Sequence, residues 1–418
     1  MTTLSSSLLD TLASRLGTAP AATTMTRPLH VLYGGAHLFK ADSPAKLGKI
    51  ARDAFDKHAA DKAWFGRFCG VEEHADDLWA RVHARLATAP IESMCIDFED
   101  GYGPRPDAEE DAEAVRAASE LGRVTTLGAR GPRIGIRVKA LEGATVRRAL
   151  RTLDLFLTTA GAVPEGFSVT LPKVTRPDEV LALDEVLGTL ETKLGLNRIP
   201  IELMIETPHA LFALPKLLAA SDRIACIHLG AYDLTAELGV TASDQRLDHP
   251  YCDVARMLMQ ATVAGSPVAV ADGATTELPI AAKDASPAKA TDDVRAAWSL
   301  HQNNVRRAID VGIWQGWDLH PAQLPARYGT VFGFFLEHRE AMATRLAAFV
   351  DKATKATRIG STFDDAATGQ GLLGFFLRGL ACGALDDADL ARTGLTRAEL
   401  ASARGTSFAA IAAARGHG

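Results

Sequence analysis

The sequence predicts an α/β fold: a (β/α)8 TIM barrel over residues 28–335, a helical C-terminal extension over 336–418, and a flexible N-terminal arm over 1–27. Three observations predict it. Eight short apolar runs alternate with longer amphipathic segments. Apolar residues occupy both parities of each run, as in parallel strands buried on both faces. No glycine-rich nucleotide loop follows the first run, as a doubly wound open sheet would require.

The runs are His30–Tyr33, Met94–Phe98, Ile134–Val138, Phe167–Leu171, Ile199–Ile205, Ile224–Leu229, Pro267–Ala271 and Trp314–Leu319. Each is of strand length and rich in Val, Ile, Leu or Phe. Helical patterns lie between them, among them Pro177–Leu194, Ala210–Ala220 and Asp292–Val311. The first opens Thr175-Arg176-Pro177-Asp178, with Pro early and a carboxylate in the first turn, which suits a helix start. Residues 1–27 are rich in Ser, Thr and Ala, and Leu278–Thr291 reads as an insert between the seventh run and its helix. Residues 336–418 hold no strand pattern and much Ala, Leu and Arg.

Composition narrows the function. Of 418 residues, 51 are acidic and 45 basic, a net charge of −6, so no basic stripe is available for nucleic acid or an anionic membrane. Five scattered cysteines without a CxxC pair read as reduced, buried thiols. The N-terminus lacks the basic and apolar regions of a signal peptide, and the apolar stretch Gly371–Leu385 is short and broken by Arg378. These features predict a cytoplasmic protein.

In a (β/α)8 barrel the residues after each strand share one mouth, where the chemistry of such enzymes occurs. Here they are Gly34-Gly35; Asp97, Glu99 and Asp100; Arg137 and Lys139; Lys173; Glu206; Asp233; Asp272; and His320. All but the first end carry an ionisable side chain, and such side chains are seldom buried without partners. Glu206 and Asp233 follow consecutive strands, about 4.8 Å apart in a parallel sheet, so both could reach one hard cation. Mg²⁺ takes one or two carboxylates and leaves positions for water and substrate. A capping or ion-paired role is the alternative for the pair. Glu202, within its strand, reads as an ion-pair member.

Arg137 could bind a carboxylate or enolate oxygen, or pair with the Asp97-Glu99-Asp100 cluster. Lys173 could form a Schiff base, but an acidic neighbourhood would hold its ammonium charged and favour an electrostatic role. His37 and His320 are candidate acid–base groups, with a structural role as the alternative.

Taken in order, Asp97-Phe98-Glu99-Asp100-Gly101, Arg137-Val138, Leu171-Pro172-Lys173-Val174, Glu206-Thr207, Gly230-Ala231-Tyr232-Asp233-Leu234 and His320-Pro321-Ala322-Gln323 resemble the HpcH/HpaI aldolase and citrate lyase β-subunit superfamily, which includes malyl-CoA lyases. The resemblance covers roughly residues 28–335. It implies Mg²⁺ (or Mn²⁺) held by Glu206 and Asp233, Arg137 polarising the substrate carbonyl, and Asp97, Glu99 and Asp100 supporting the metal and its waters. It implies a carbon–carbon lyase acting through an enolate on a 2-oxo acid or 3-hydroxyacyl-CoA type substrate, and a homo-oligomer; Arg137, Lys173, Gly34 and Gly35, at strand ends facing the mouth, are the expected substrate-binding residues. The first strand departs from the superfamily's usual loop, and Lys40 and Lys46 are the nearby basic residues that could meet coenzyme A. Asp364 and Asp365, after Gly360-Ser361-Thr362-Phe363, stand near where relatives carry an acid–base Asp, or they cap a helix. His37, Asp364, Asp365 and a water remain open as the base. A class II pyruvate aldolase acting on free aldehydes and a non-catalytic metabolite-binding barrel are the alternatives.

Overall fold

The computed structural model describes residues 27–124, 131–359 and 366–402, with isolated positions before residue 15. The expected N-terminal arm therefore lies largely outside the described residues. The strands are β1 (His30–Gly35), β2 (Ser93–Asp97), β3 (Arg133–Arg137), β4 (Val169–Leu171), β5 (Ile201–Ile205), β6 (Ile224–Leu229), β7 (Ala269–Asp272) and β8 (Gln315–Asp318). Each pairs in parallel with the next, and β8 pairs with β1, closing the barrel. All eight match the apolar runs to within two residues at each end.

One parity of each strand faces the surrounding helices. Leu32, Ile96, Ile136, Val169, Leu203 and Ile227 bury there in the main apolar core. The other parity meets inside the barrel. The Tyr33 ring of β1 lies 4.4 Å from Trp317 of β8 and 6.4 Å from His228 of β6, centroid to centroid. Only inward-facing residues can meet across the barrel in this way.

The helices begin and end where local chemistry dictates. Pro177, Pro208, Pro250 and Pro287 each open a helix, where the missing N–H has no helical partner to lose. Thr207 caps its helix by accepting from the Ala210 N–H at 3.0 Å. The helix expected at Asp292–Val311 spans Pro287–Asp310, so the end of the 278–291 segment supplies its first turn. After β8, one helix runs from Leu324 to Ile359, followed by Ala366–Cys382, Asp387–Ala391 and Arg397–Ser402. No helix among the described residues is long and apolar enough to cross a membrane.

Candidate active site

Strand register builds the first half of the site. Asp97 at the end of β2 stands directly beside Arg137 at the end of β3. Arg137 donates from Nε to Asp97 Oδ1 at 2.7 Å and from Nη2 to Oδ2 at 2.5 Å, a bidentate pair. Both side chains are buried. Burial opposes the guanidinium charge, but the bond and charge of Asp97 outweigh it and raise the Arg137 pKa. Asp97 also accepts the backbone N–H groups of Glu99 at 2.9 Å and Gly101 at 2.7 Å, so it folds the loop after β2 over the barrel. Gly35 ends the neighbouring strand opposite Asp97. A Cβ at Gly35 would sit 2.2 Å from the Gly101 carbonyl oxygen, so this close approach needs glycine.

The folded loop presents Glu99 and Asp100 to Lys173. The ammonium lies 2.5 Å from Glu99 Oε1 and 3.2 Å from Asp100 Oδ1. Burial opposes its charge, yet the two carboxylates raise the Lys173 pKa above the ordinary ammonium range. Charge held on the ammonium by these two carboxylates opposes a Schiff-base role for Lys173. Burial raises the Glu99 carboxyl above its usual range, Arg137 and Lys173 opposing. Lys173 also has a φ of 50°, the only non-glycine residue with positive φ among those described. That conformation is disfavoured for an L-residue, and such departures concentrate at functional sites. It aims the Lys173 N–H at Glu206 Oε1, 2.5 Å away.

Glu206, just past β5, is 2% exposed. A Cβ on Gly230, just past β6, would lie 2.3 Å from Glu206 Cβ and 2.8 Å from Oε2, so glycine makes room for this carboxylate. Asp233 follows in the first turn of the Ala231–Glu237 helix and is exposed. Burial, reinforced by Asp233 and Glu99, raises the Glu206 carboxyl to about 7, against the Lys173 N–H and Arg137. Among the described residues neither Glu206 nor Asp233 has an ion-pair partner, whereas Arg137 and Lys173 are engaged by Asp97, Glu99 and Asp100. The mouth thus gathers five carboxylates around two cations.

Glu206 and Asp233 are hard oxygen donors of the type a divalent cation takes. Among the described residues no three His, Cys, Asp or Glu side chains form a ready-made ligand group. The chain offers Glu206 and Asp233, two hard oxygen donors with negative charge to spare, as Mg²⁺ with several waters requires.

The other expected residues fall as follows. A Cβ at Gly34 would meet no atom within 4 Å, so this position leaves open space. His37 is exposed on the Ala36–Leu38 turn, its ring 5.8 Å from Tyr102. Lys46 pairs with Asp42 on the surface at 2.7 Å, and Lys40 is exposed. Lys139 donates to the Phe98 carbonyl at 2.7 Å. Asp272 is an ion-pair partner of buried Arg256 at 2.8 Å, and His320 caps the turn after β8 through the Ala322 N–H. Asp364 and Asp365 lie outside the described residues. Glu202 bonds His228 at 2.8 Å, as an ion-pair member should. The polar interior layer of Tyr33, His228 and Trp317 was missed, because those residues stand inside runs read only for their apolar character. Their interior parity was the available signal.

A closed parallel barrel with charged groups gathered at the C-terminal ends of its strands is the architecture of a (β/α)8 enzyme. The chain belongs to the family described as Domain of unknown function (DUF6986), which matches residues 11–408. No curated protein sequence matches it. Among solved structures it is similar to a citrate lyase from Burkholderia xenovorans LB400, at 18% identity and a TM-score of 0.60, over 90% of this chain and 100% of that one. It is also similar to a Haloferax volcanii malate synthase in a magnesium/glyoxylate complex, at 14% identity and a TM-score of 0.48, over 73% and 76% of the two chains. An HpcH/HpaI aldolase from Desulfitobacterium hafniense DCB-2 matches at 12% identity and a TM-score of 0.37, over 70% and 86%. The likeness is one of fold.

Proposed function

We propose that this chain is a carbon–carbon lyase or aldolase, dependent on Mg²⁺ or Mn²⁺, acting through an enolate on a 2-oxo acid or a 3-hydroxyacyl-CoA type substrate. The observation that carries this reading is the pair Glu206 and Asp233, two carboxylates just past adjacent strands with no cationic partner among the described residues. A divalent ion held by them supplies Lewis-acid stabilisation of the negative charge that develops on the substrate.

The chain's own residues do the rest. Asp97 fixes the Nε and Nη2 edge of Arg137, and Nη1 faces Glu99 at 3.3 Å, the Met204 sulfur at 3.5 Å and Asp100 at 3.9 Å. Nη1, the edge outside the bidentate pair, is the donor that would meet a developing oxyanion placed beside it, and losing one such donor typically lowers the rate by about 10²–10³. Lys173, kept charged, lowers the local negative potential that would repel an anionic substrate. Gly34 leaves space at the rim. His37, Asp364 and Asp365 remain candidates for the base.

The test follows deuterium entering pyruvate or acetyl-CoA from D₂O with Mg²⁺ present. Exchange that disappears in Glu206→Gln is expected. Exchange undiminished in that variant would remove the reading, and the favoured substrate separates a pyruvate aldolase from an acyl-CoA lyase.

The proposal includes a homo-oligomer. Phe212 is 79% exposed on the Pro208–Ala219 helix, and Met257, Tyr251 and Val254 are exposed on the adjoining Pro250–Val263 helix. Large apolar side chains left exposed on adjoining helices favour association, and sedimentation of Phe212→Glu tests it. The proposal also places the protein in the cytoplasm; Cys69, Cys95, Cys226, Cys252 and Cys382 are all free and buried, which suits a reducing compartment.

A further inference from the structure

The apolar stretch broken by Arg378 forms the floor of the barrel. The Ala366–Cys382 helix passes beneath the N-terminal ends of β7 and β8 and the segment before β1, at the end opposite the acidic mouth. Between helix and barrel lies a cavity of about 290 Å³. Gly374, Leu377, Arg378, Ala381 and Cys382 line it, spaced three and four apart as one helical face.

The lining has a definite chemistry. Leu29, Val263, Val268, Val270 and Leu377 make its walls apolar, and two cations, Arg27 and Arg378, join them with no Asp or Glu among the lining residues. Arg27 is anchored by donating to the Pro267 carbonyl at 2.9 Å. The Arg378 guanidinium lies over the Trp314 ring at 4.8 Å and has no carboxylate partner among the described residues. Among the lining residues, Trp314 carries a buried Nε1 donor without a hydrogen-bond partner. A buried donor left unmatched is costly, so this one points to a missing acceptor.

We propose that this floor cavity binds a small organic anion with an apolar body, of the class of short-chain carboxylates. The carboxylate would meet the Arg378 guanidinium and the Trp314 N–H, and the hydrocarbon would lie on the walls. Inorganic phosphate would leave the walls unused, and a neutral alcohol would leave the cations unused. The volume is at the lower end of the range for small-molecule pockets.

The experiment titrates the full chain with hexanoate, hexanol and inorganic phosphate, by calorimetry and tryptophan fluorescence. Saturable binding of hexanoate is expected, at least tenfold weaker in Arg378→Gln. It should also be lost in Gly374→Leu, which places a side chain where a Cβ meets no atom within 4 Å and removes no charge. Glu206→Gln at the opposite mouth should bind as the unaltered chain does. No saturation by hexanoate, equal binding of hexanol or phosphate, or full affinity in Arg378→Gln would overturn the proposal. Loss in Glu206→Gln would overturn it too, by placing the binding at the mouth.

Discussion

Lys173 donates its backbone N–H to Glu206 Oε1 at 2.5 Å while its ammonium reaches Glu99 Oε1 at 2.5 Å. One residue in a left-handed conformation thereby ties the loop after β2 to the carboxylate after β5. The conformation disfavours any side chain by about 1–2 kcal/mol. Lys173→Gly and Lys173→Ala both remove the ammonium, but only glycine relieves the backbone. Urea denaturation should find Lys173→Gly the more stable by about 1 kcal/mol; the reverse order would show that the strain is not there.

Asp97 satisfies both a buried guanidinium and two backbone N–H groups. Asp97→Ala should destabilise the fold by about 3–5 kcal/mol, because Arg137 is left charged without its principal partner. Asp97→Asn, which keeps an acceptor, should be milder. Equal stability of Asp97→Ala and the unaltered chain in urea would contradict the clamp.

Inside the barrel, burial opposes the charge on His228, but Cys226 and Glu202 outweigh it and raise the imidazole to about 10. Burial disfavours the Glu202 carboxylate, and the His228 bond more than offsets it, lowering that pKa. The raised histidine contributes stability in full below its ordinary value of 6.5, and loses it as pH rises toward about 10. The lowered glutamate contributes above its ordinary value of 4.5 and loses it as pH falls through its folded value. The stability gap between the unaltered chain and His228→Asn should therefore narrow from pH 6.5 to 10. A gap constant across that window would mean the pair carries no linked charge.

Gly230 gives Glu206 its place. Gly230→Ala should displace the carboxylate, weaken Mn²⁺ binding at least tenfold, and destabilise the fold by about 1–3 kcal/mol through overpacking. Full Mn²⁺ affinity in that variant would show that the carboxylate's position does not matter.

The barrel was legible in the sequence because a strand buried on both faces carries apolar residues on both parities, as Ile224, Ala225, Cys226 and Ile227 illustrate. The acidic mouth was legible because strand order alone brings Asp97, Arg137 and Glu206 to one end. What determines the side-chain pairings was not. The bidentate hold of Asp97 on Arg137 depends on register, and no sequence rule announces a left-handed backbone at a lysine. Asp272 and His320 shared the strand-end pattern, yet one pairs with Arg256 and the other caps a turn. Position at a strand end does not distinguish a ligand from a structural partner.

Mn²⁺ titration followed by electron paramagnetic resonance, on the unaltered chain, Glu206→Gln and Asp233→Asn, tests the metal assignment most directly. One Mn²⁺ per chain, displaced by Mg²⁺ and bound at least tenfold more weakly by either variant, is expected. Undiminished binding in both variants would contradict it.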